Sequence, residues 1–174
     1  MEIRRLATGD EVALMRFVSR IPEGDRTFFK EDVLDAEVVA AWVQRGEARS
    51  LAVEDEEILG TVTVVPLQDW SSHVGEVRVI VHPAHRRRGI GRALARHAVI
   101  EALDLGLEKM MVEVIADQDA TIAMFRSLGF EPEALLKDHV RDDDGQLHDL
   151  MLLAHSVEAS LASLHAVGLG DALP

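Results

Sequence analysis

Val81-His82-Pro83-Ala84-His85-Arg86-Arg87-Arg88-Gly89-Ile90-Gly91-Arg92 carries a β-branched run through a basic, glycine-bearing turn directly into a helical pattern. Gly89 and Gly91 give the backbone access to conformations closed to other residues. Successive N–H groups can then converge on one anion at the positive end of a helix dipole. Arg86, Arg87, Arg88 and Arg92 add mobile positive charge around that point. Downstream, Ile90, Leu94, Ala98 and Ala102 form a stripe at i, i+4 spacing, and Gly106 stands where a helix C-cap belongs, so this helix packs on a sheet. Three adjacent arginines also suit a solvated turn or a nucleic-acid patch. The two glycines do not extend to Gly-x-Gly-x-x-Gly and no Gly-Lys-Ser/Thr follows, which removes the dinucleotide fingerprint and the P-loop.

Upstream of this stretch, Glu2 to Leu6 reads as a short strand, and Thr8 with Glu11 forms a capping-box pattern opening a helix through Val12, Met15 and Val18. Residues 21–30 break the periodicity. Asp35 then caps a second helix carrying Val38, Val39, Trp42 and Val43 as core residues. Ser50 to Glu54 and Ile58 to Leu67 are strand-like runs around Asp55-Glu56-Glu57 and predict an antiparallel hairpin, and Gly75 to His82 supplies a fourth strand. After the basic turn and its helix, Lys109 to Ala116 is a strand and Ala120 to Leu128 a short helix ended by Gly129. Leu135 to Val140 and Leu147 to Ala154 then flank an Asp-Gly turn as two final strands. The order predicts an α+β, mixed α/β fold: one domain over residues 1–154 with helices on both faces of the sheet, then a C-terminal helix and tail over 155–174. Leu161, Leu164 and Val167 of that tail could cover a core edge or mediate a homodimer.

The 174 residues suit a single domain, and 48% hydrophobic residues suffice for a substantial core. No apolar run approaches bilayer length and the N-terminus lacks a signal-peptide core, so a cytoplasmic protein with no membrane partner is expected. Zero cysteines remove thiolate nucleophiles and Cys-based zinc sites. The net charge of −13 argues against nucleic-acid binding, yet it leaves room for one polyanionic ligand at the local arginine cluster. Asp138, His139, Asp142, Asp143, Asp144, His148 and Asp149 lack compact ligand spacing, and no metal is expected. His73, His82, His139 and His148 read as ordinary surface or packed residues.

Arg86-Arg87-Arg88-Gly89-Ile90-Gly91 resembles the acetyl-CoA signature of the GNAT superfamily of N-acetyltransferases: Gln or Arg, two residues, Gly, one residue, then Gly or Ala. A second segment, Ala116 to Phe130, is similar to the part of that family following its fifth strand, which ends in Gly-Phe as Gly129-Phe130 does here. The resemblance implies a mostly antiparallel central sheet splayed between its fourth and fifth strands. Val79, Ile80 and Val81 would offer backbone groups to the pantetheine arm of acetyl-CoA. Arg86, Arg87, Arg88, Gly89, Ile90, Gly91 and Arg92 would surround its pyrophosphate, and Gln118 and Phe125 would complete the cofactor site.

The implied reaction is direct transfer of an acetyl group to a primary amine of a small molecule or a peptide. The amine must lose a proton before attack. Glu76 on the fourth strand and Glu113 on the fifth stand where particular family members place that base. Burial in Val-rich sequence would raise their pKa toward useful values; a glutamate facing solvent, or paired with Arg78, is the plainer expectation. Many members carry a tyrosine that protonates the departing thiolate where this chain has Phe125, and the chain contains no tyrosine. That substitution motivates the alternative of a noncatalytic acyl-CoA-binding domain. The acceptor would enter past residues 25–31 and 137–147.

Overall fold

A computed structural model describes residues 1–26, 30–45 and 48–158. The chain runs β1 (Glu2–Arg5), α1 (Glu11–Ser19), α2 (Glu23–Arg26), α3 (Ala36–Gln44), β2 (Ala48–Glu54), β3 (Glu57–Pro66) and β4 (Val74–Val81). It continues through α4 (Ile90–Asp104), β5 (Lys109–Ile115), α5 (Asp119–Arg126), β6 (Glu131–Arg141) and β7 (Leu147–Ser156). The strands form one sheet in the order β1-β2-β3-β4-β5-β7-β6, antiparallel except where β4 meets β5. The expected order of elements is present, with α2 as an additional single turn inside the aperiodic stretch before α3.

Alternation along each strand divides the core between the two faces of the sheet. Ala52, Val62, Val64, Val77, Val112 and Val114 pack against Leu94, Ala98 and Ala102 of α4 and against Phe125 of α5. On the opposite face, Leu51, Val53 and Ile80 meet Leu14 and Phe17 of α1 and Val39 and Trp42 of α3. Glu76 and Arg78 share the strand parity of Ile80 and therefore stand on the α1/α3 face, as does Glu113, which alternates with the α4-facing Val112 and Val114.

The decisive feature of the sheet is the junction of β4 and β5. The two strands pair over Val74↔Lys109, Gly75↔Met110 and Glu76↔Met111 only, while β5 stays paired with β7 from Lys109 to Ile115. β4 is fixed on its other side by β3, from Gly75 to Val81. Two strands anchored to different neighbours diverge beyond Glu76, and Val77 to Val81 face the opening without a ladder partner from β5.

Some local boundaries differ from the sequence expectation. Thr8 does not cap α1: Asp10 holds the N-cap position, its carboxylate takes the Ala7 N–H at 2.9 Å and both Arg4 guanidinium nitrogens at 2.7 Å, and Glu11 reaches back to the Gly9 N–H at 2.8 Å. An arginine within reach makes the later aspartate the better-bonded start. β6 begins at Glu131 and carries bulges between Pro132 and Ala134 and between Leu136 and Val140. β7 extends through Ser156, and Val157 is buried in the main core. The rest of the expected C-terminal helix and tail, residues 159–174, lies outside the described residues. No helix among the described residues is long and apolar enough to cross a membrane.

Candidate active site

The opening between β4 and β5 continues into a cleft of about 1010 Å³ that runs from the start of α4 to the α1/α3 face. Its first wall is the basic turn. Gly89 adopts φ 81 as the N-cap of α4, and Arg87 adopts φ 62, so the two left-handed residues are Arg87 and Gly89. Gly91 lies inside α4 with ordinary helical backbone, which corrects the expectation that both glycines supply special conformations. A Cβ at Gly91 would meet Met124 Sδ at 3.4 Å and Val81 Cγ2 at 3.6 Å, so the glycine keeps the cleft wall open. Among the described residues, none of the backbone N–H groups of Arg87 to Arg92 has a hydrogen-bond partner. Six unpaired donors at a helix N-terminus are of the kind that suits an anion.

The arginine side chains are less available than their number suggests. Arg86 bonds Asp25 of α2 at 2.8 Å, Arg88 bonds Glu54 at 2.6 Å, and Arg92 donates to Ser127 Oγ at 2.6 Å. Arg87 alone of these four carries no side-chain hydrogen bond or ion pair among the described residues. The unpaired donors of this turn are therefore mostly main-chain groups.

From Val81, the unpaired edge of β4 leads inward to Val77. Five residues at about 3.3 Å each make an exposed edge of about 16 Å. Gln118 stands at the N-cap of α5 and Phe125 about two turns further along, and both line the cleft. Phe125 is 2% exposed and meets Phe130 edge-on with centroids 5.1 Å apart, so its ring belongs to the core as much as to the cleft.

Where the strands close together, Glu76 and Glu113 converge on one cation. Lys30 Nζ lies 2.7 Å from Glu76 Oε1 and 2.8 Å from Glu113 Oε2. Arg78 also grips Glu76, with Nε 3.0 Å from Oε1 and Nη2 2.9 Å from Oε2. Burial pushes the Glu76 pKa up, but the bonds and charges of Arg78 and Lys30 outweigh it and hold the carboxyl below its ordinary value. The expectation that desolvation leaves Glu76 with a raised pKa is thus corrected, and its pairing with Arg78 is present. Burial would lower the Lys30 pKa, yet hydrogen bonds to Glu113 and Glu76 raise it above the ordinary lysine value.

The same end of the cleft holds Arg49 and Trp42, which the sequence reading did not assign to the site, beside Lys30 and Glu31 of the 25–31 span expected to border the acceptor's path. Arg49, 5% exposed, stacks over the Trp42 ring at 3.8 Å, and Trp42 Nε1 donates to Glu31 at 2.7 Å. Lys30, Trp42 and Arg49 come from three separate segments, so no short motif announces them. The available signal was the pair Glu76 and Arg78, charged at alternate positions of a Val-rich strand and hence on one face. Among the described residues no group of three or more His, Asp or Glu is arranged to hold a metal ion.

Residues 15–130, more than half of the chain, match the acetyltransferase (GNAT) family. The chain belongs to the GNAT family. It is 31% identical over 139 residues to the L-amino acid N-acyltransferase MnaT of Escherichia coli (strain K12), covering 75% of this chain and 79% of that protein. A ribosomal-protein-alanine N-acetyltransferase from Brucella melitensis superposes with a TM-score of 0.78 at 24% identity, covering 90% of this chain and 99% of that chain. The structure of yncA from Salmonella typhimurium with its cofactor acetyl-CoA gives a TM-score of 0.76 at 22% identity, over 90% of this chain and 94% of that one. This GNAT protein is an acetyl-CoA-dependent N-acetyltransferase whose acceptor is an amine of a small molecule or a protein. The splayed sheet expected of a GNAT fold is present at the β4/β5 junction.

Proposed function

We propose that the chain acetylates the α-amine of a small, carboxylate-bearing acceptor of the amino-acid type. One observation carries this reading: carboxylates from the two diverging strands, Glu76 and Glu113, converge on a single ammonium at the closed end of the cleft. An acceptor ammonium taking the place of Lys30 would meet the same two oxygens, and Arg78 and Arg49 beside them supply positive charge for its carboxylate. The 31% identity to an L-amino acid N-acyltransferase supports this choice over a protein acceptor. The ribosomal-protein bS18-alanine N-acetyltransferase of Escherichia coli matches over 76 residues, 44% of this chain and 51% of that protein.

In this reading the N–H groups of Arg87 to Arg92, aided by Arg87 and, where released, by Arg86, Arg88 and Arg92, bind the cofactor pyrophosphate. Val79, Ile80 and Val81 offer the strand edge for the pantetheine arm. Gln118 adds an amide contact, and Phe125 forms an apolar wall beside the thioester. Acetyl-CoA supplies the electrophilic thioester carbonyl. Glu113 accepts the acceptor's proton, directly or through one water, while Glu76, kept ionised by Arg78, orients the ammonium beforehand. Transfer is direct in this reading, with which the absence of cysteine accords, and in a chain without tyrosine the thiolate departs without a tyrosine acid.

The test is thiol release from acetyl-CoA over a panel of free L-amino acids, methionine sulfone and an alanine-initiated peptide. Turnover of free amino acids is expected, with Glu113→Gln lowering kcat by roughly a hundredfold or more while acetyl-CoA binding persists. Turnover of the peptide alone would overturn the acceptor class, and an unchanged kcat in Glu113→Gln would remove that residue as the base.

A further inference from the structure

Lys30 presents a primary amine where the proposed reaction requires one. Its Nζ is 2.7 Å from Glu76 and 2.8 Å from Glu113, its side chain lines the cleft and is 42% exposed, and it enters from the segment ahead of α3, outside the sheet. The two carboxylates mark the end of the strand edge on which the pantetheine arm is proposed to lie, so on that reading this amine stands beside the thioester.

We propose that Lys30 is itself an acetylation site, modified in cis by the bound co-substrate when no external acceptor occupies the cleft. The inference rests on the reading of Glu76 and Glu113 as the acceptor-amine site. Lys30 Nζ gives up one proton to Glu113, forms a bond to the acetyl carbon as the carbon–sulfur bond breaks, and CoA leaves as the thiolate. The nitrogen passes its second proton to the departing thiolate as the amide forms, and Glu113 releases the first to solvent, so the products are Nε-acetyl-Lys30, CoA and one proton, and no further reactant is needed. The ammonium is stabilised by both carboxylates, which keeps the amine protonated most of the time and makes the reaction slow beside turnover of a good acceptor.

The consequence is a change in the site itself. An acetylated Lys30 is neutral and no longer bridges the two carboxylates, so Glu76 and Glu113 lose the cation that an incoming ammonium must otherwise displace. Self-acetylation would open the acceptor subsite to cationic amines.

The chain contains three lysines, Lys30, Lys109 and Lys137, which makes the experiment selective. Lys109 bonds Glu133 at the surface, at 2.7 Å, remote from the cleft, and serves with Lys137 as an internal control for uncatalysed acetylation. Full-length protein is incubated with acetyl-CoA without acceptor, its intact mass is followed in time, and the modified peptide is mapped. One acetyl group at Lys30, present as purified or gained at a first-order rate independent of protein concentration, is expected. It should be absent in Lys30→Arg and slowed at least tenfold in Glu113→Gln. Equal labelling of all three lysines, or a rate proportional to protein concentration, would overturn catalysis in cis. Calorimetric acetyl-CoA binding and amine turnover are measured on the same preparation. Binding and turnover with an unmodified Lys30 overturn this inference and leave the acceptor reading intact, whereas absent binding overturns both.

Discussion

Gly91 has helical backbone at the cleft wall, and what it supplies is space. The nearest atoms to an added Cβ lie at ordinary contact distance, so Gly91→Ala should leave the fold at least as stable, since alanine is the better helix residue by about 0.5–1 kcal/mol. Gly91→Arg carries a long cation across the donors of Arg87 to Arg92 and should weaken acetyl-CoA by roughly a hundredfold in calorimetry without lowering Tm. A large loss of affinity in the alanine variant would show that the constraint is on the first carbon. Phe125 presents a related case: its ring packs edge-on against Phe130 and fills the core, and it carries no hydroxyl to donate a proton.

The β2/β3 hairpin carries its strain in the turn. Asp55 and Glu56 adopt φ 50 and φ 64, the pattern of a two-residue turn that favours Asn-Gly, yet neither is glycine. Each left-handed non-glycine residue costs about 1–2 kcal/mol, partly offset here because glycine is entropically costlier to order. The double change Asp55→Asn with Glu56→Gly should therefore stabilise the protein by about 1 kcal/mol, seen as a rise in Tm of roughly 2–4 °C. No rise in a thermal melt would mean that side-chain contacts in the turn balance its backbone strain. β4 gains its function at the same scale: held by β3 along its length and by β5 over three residues, it leaves the rest of one edge open.

Across the whole molecule, β1, β2 and α4 are tied together by a buried carboxylate. Glu101, 2% exposed, receives Arg5 Nη2 at 2.6 Å, Arg5 Nε at 3.1 Å and Ser50 Oγ at 2.9 Å, with His97 Nε2 at 3.3 Å. Burial raises its pKa, but Arg5 and Ser50 more than reverse the effect, so the folded value lies below the ordinary 4.5. Asp10 is lowered by its bond to Arg4, and Glu76 by Arg78 and Lys30 against burial. Groups with a depressed folded pKa contribute their stability in full above the unfolded value and lose it as pH falls through the folded one. Thermal stability should therefore hold from pH 7 to about 5 and drop steeply below pH 4. Glu101→Gln should cost about 1–3 kcal/mol at pH 7 and make the acid limb shallower, as read by Tm against pH. A parallel limb would exclude Glu101 as a contributor.

The parts of this protein legible in its sequence are those with a local physical cause. Apolar alternation and i, i+4 spacing specify strands and the α4 stripe because side-chain direction follows from backbone geometry. The turn before α4 is legible as a candidate anion site because its N–H groups and a helix start are adjacent in the chain. The divergence of β4 from β5 has no such local cause: it arises because β3 and β7 hold the two strands on opposite sides. Tertiary structure likewise decided that Arg86 and Arg88 are occupied by Asp25 and Glu54, and that Arg87 is left facing the cleft. It also brought Lys30, Glu76 and Glu113, far apart in the chain, within hydrogen-bond distance, because ion pairs between distant segments form only where the folded backbone delivers both partners.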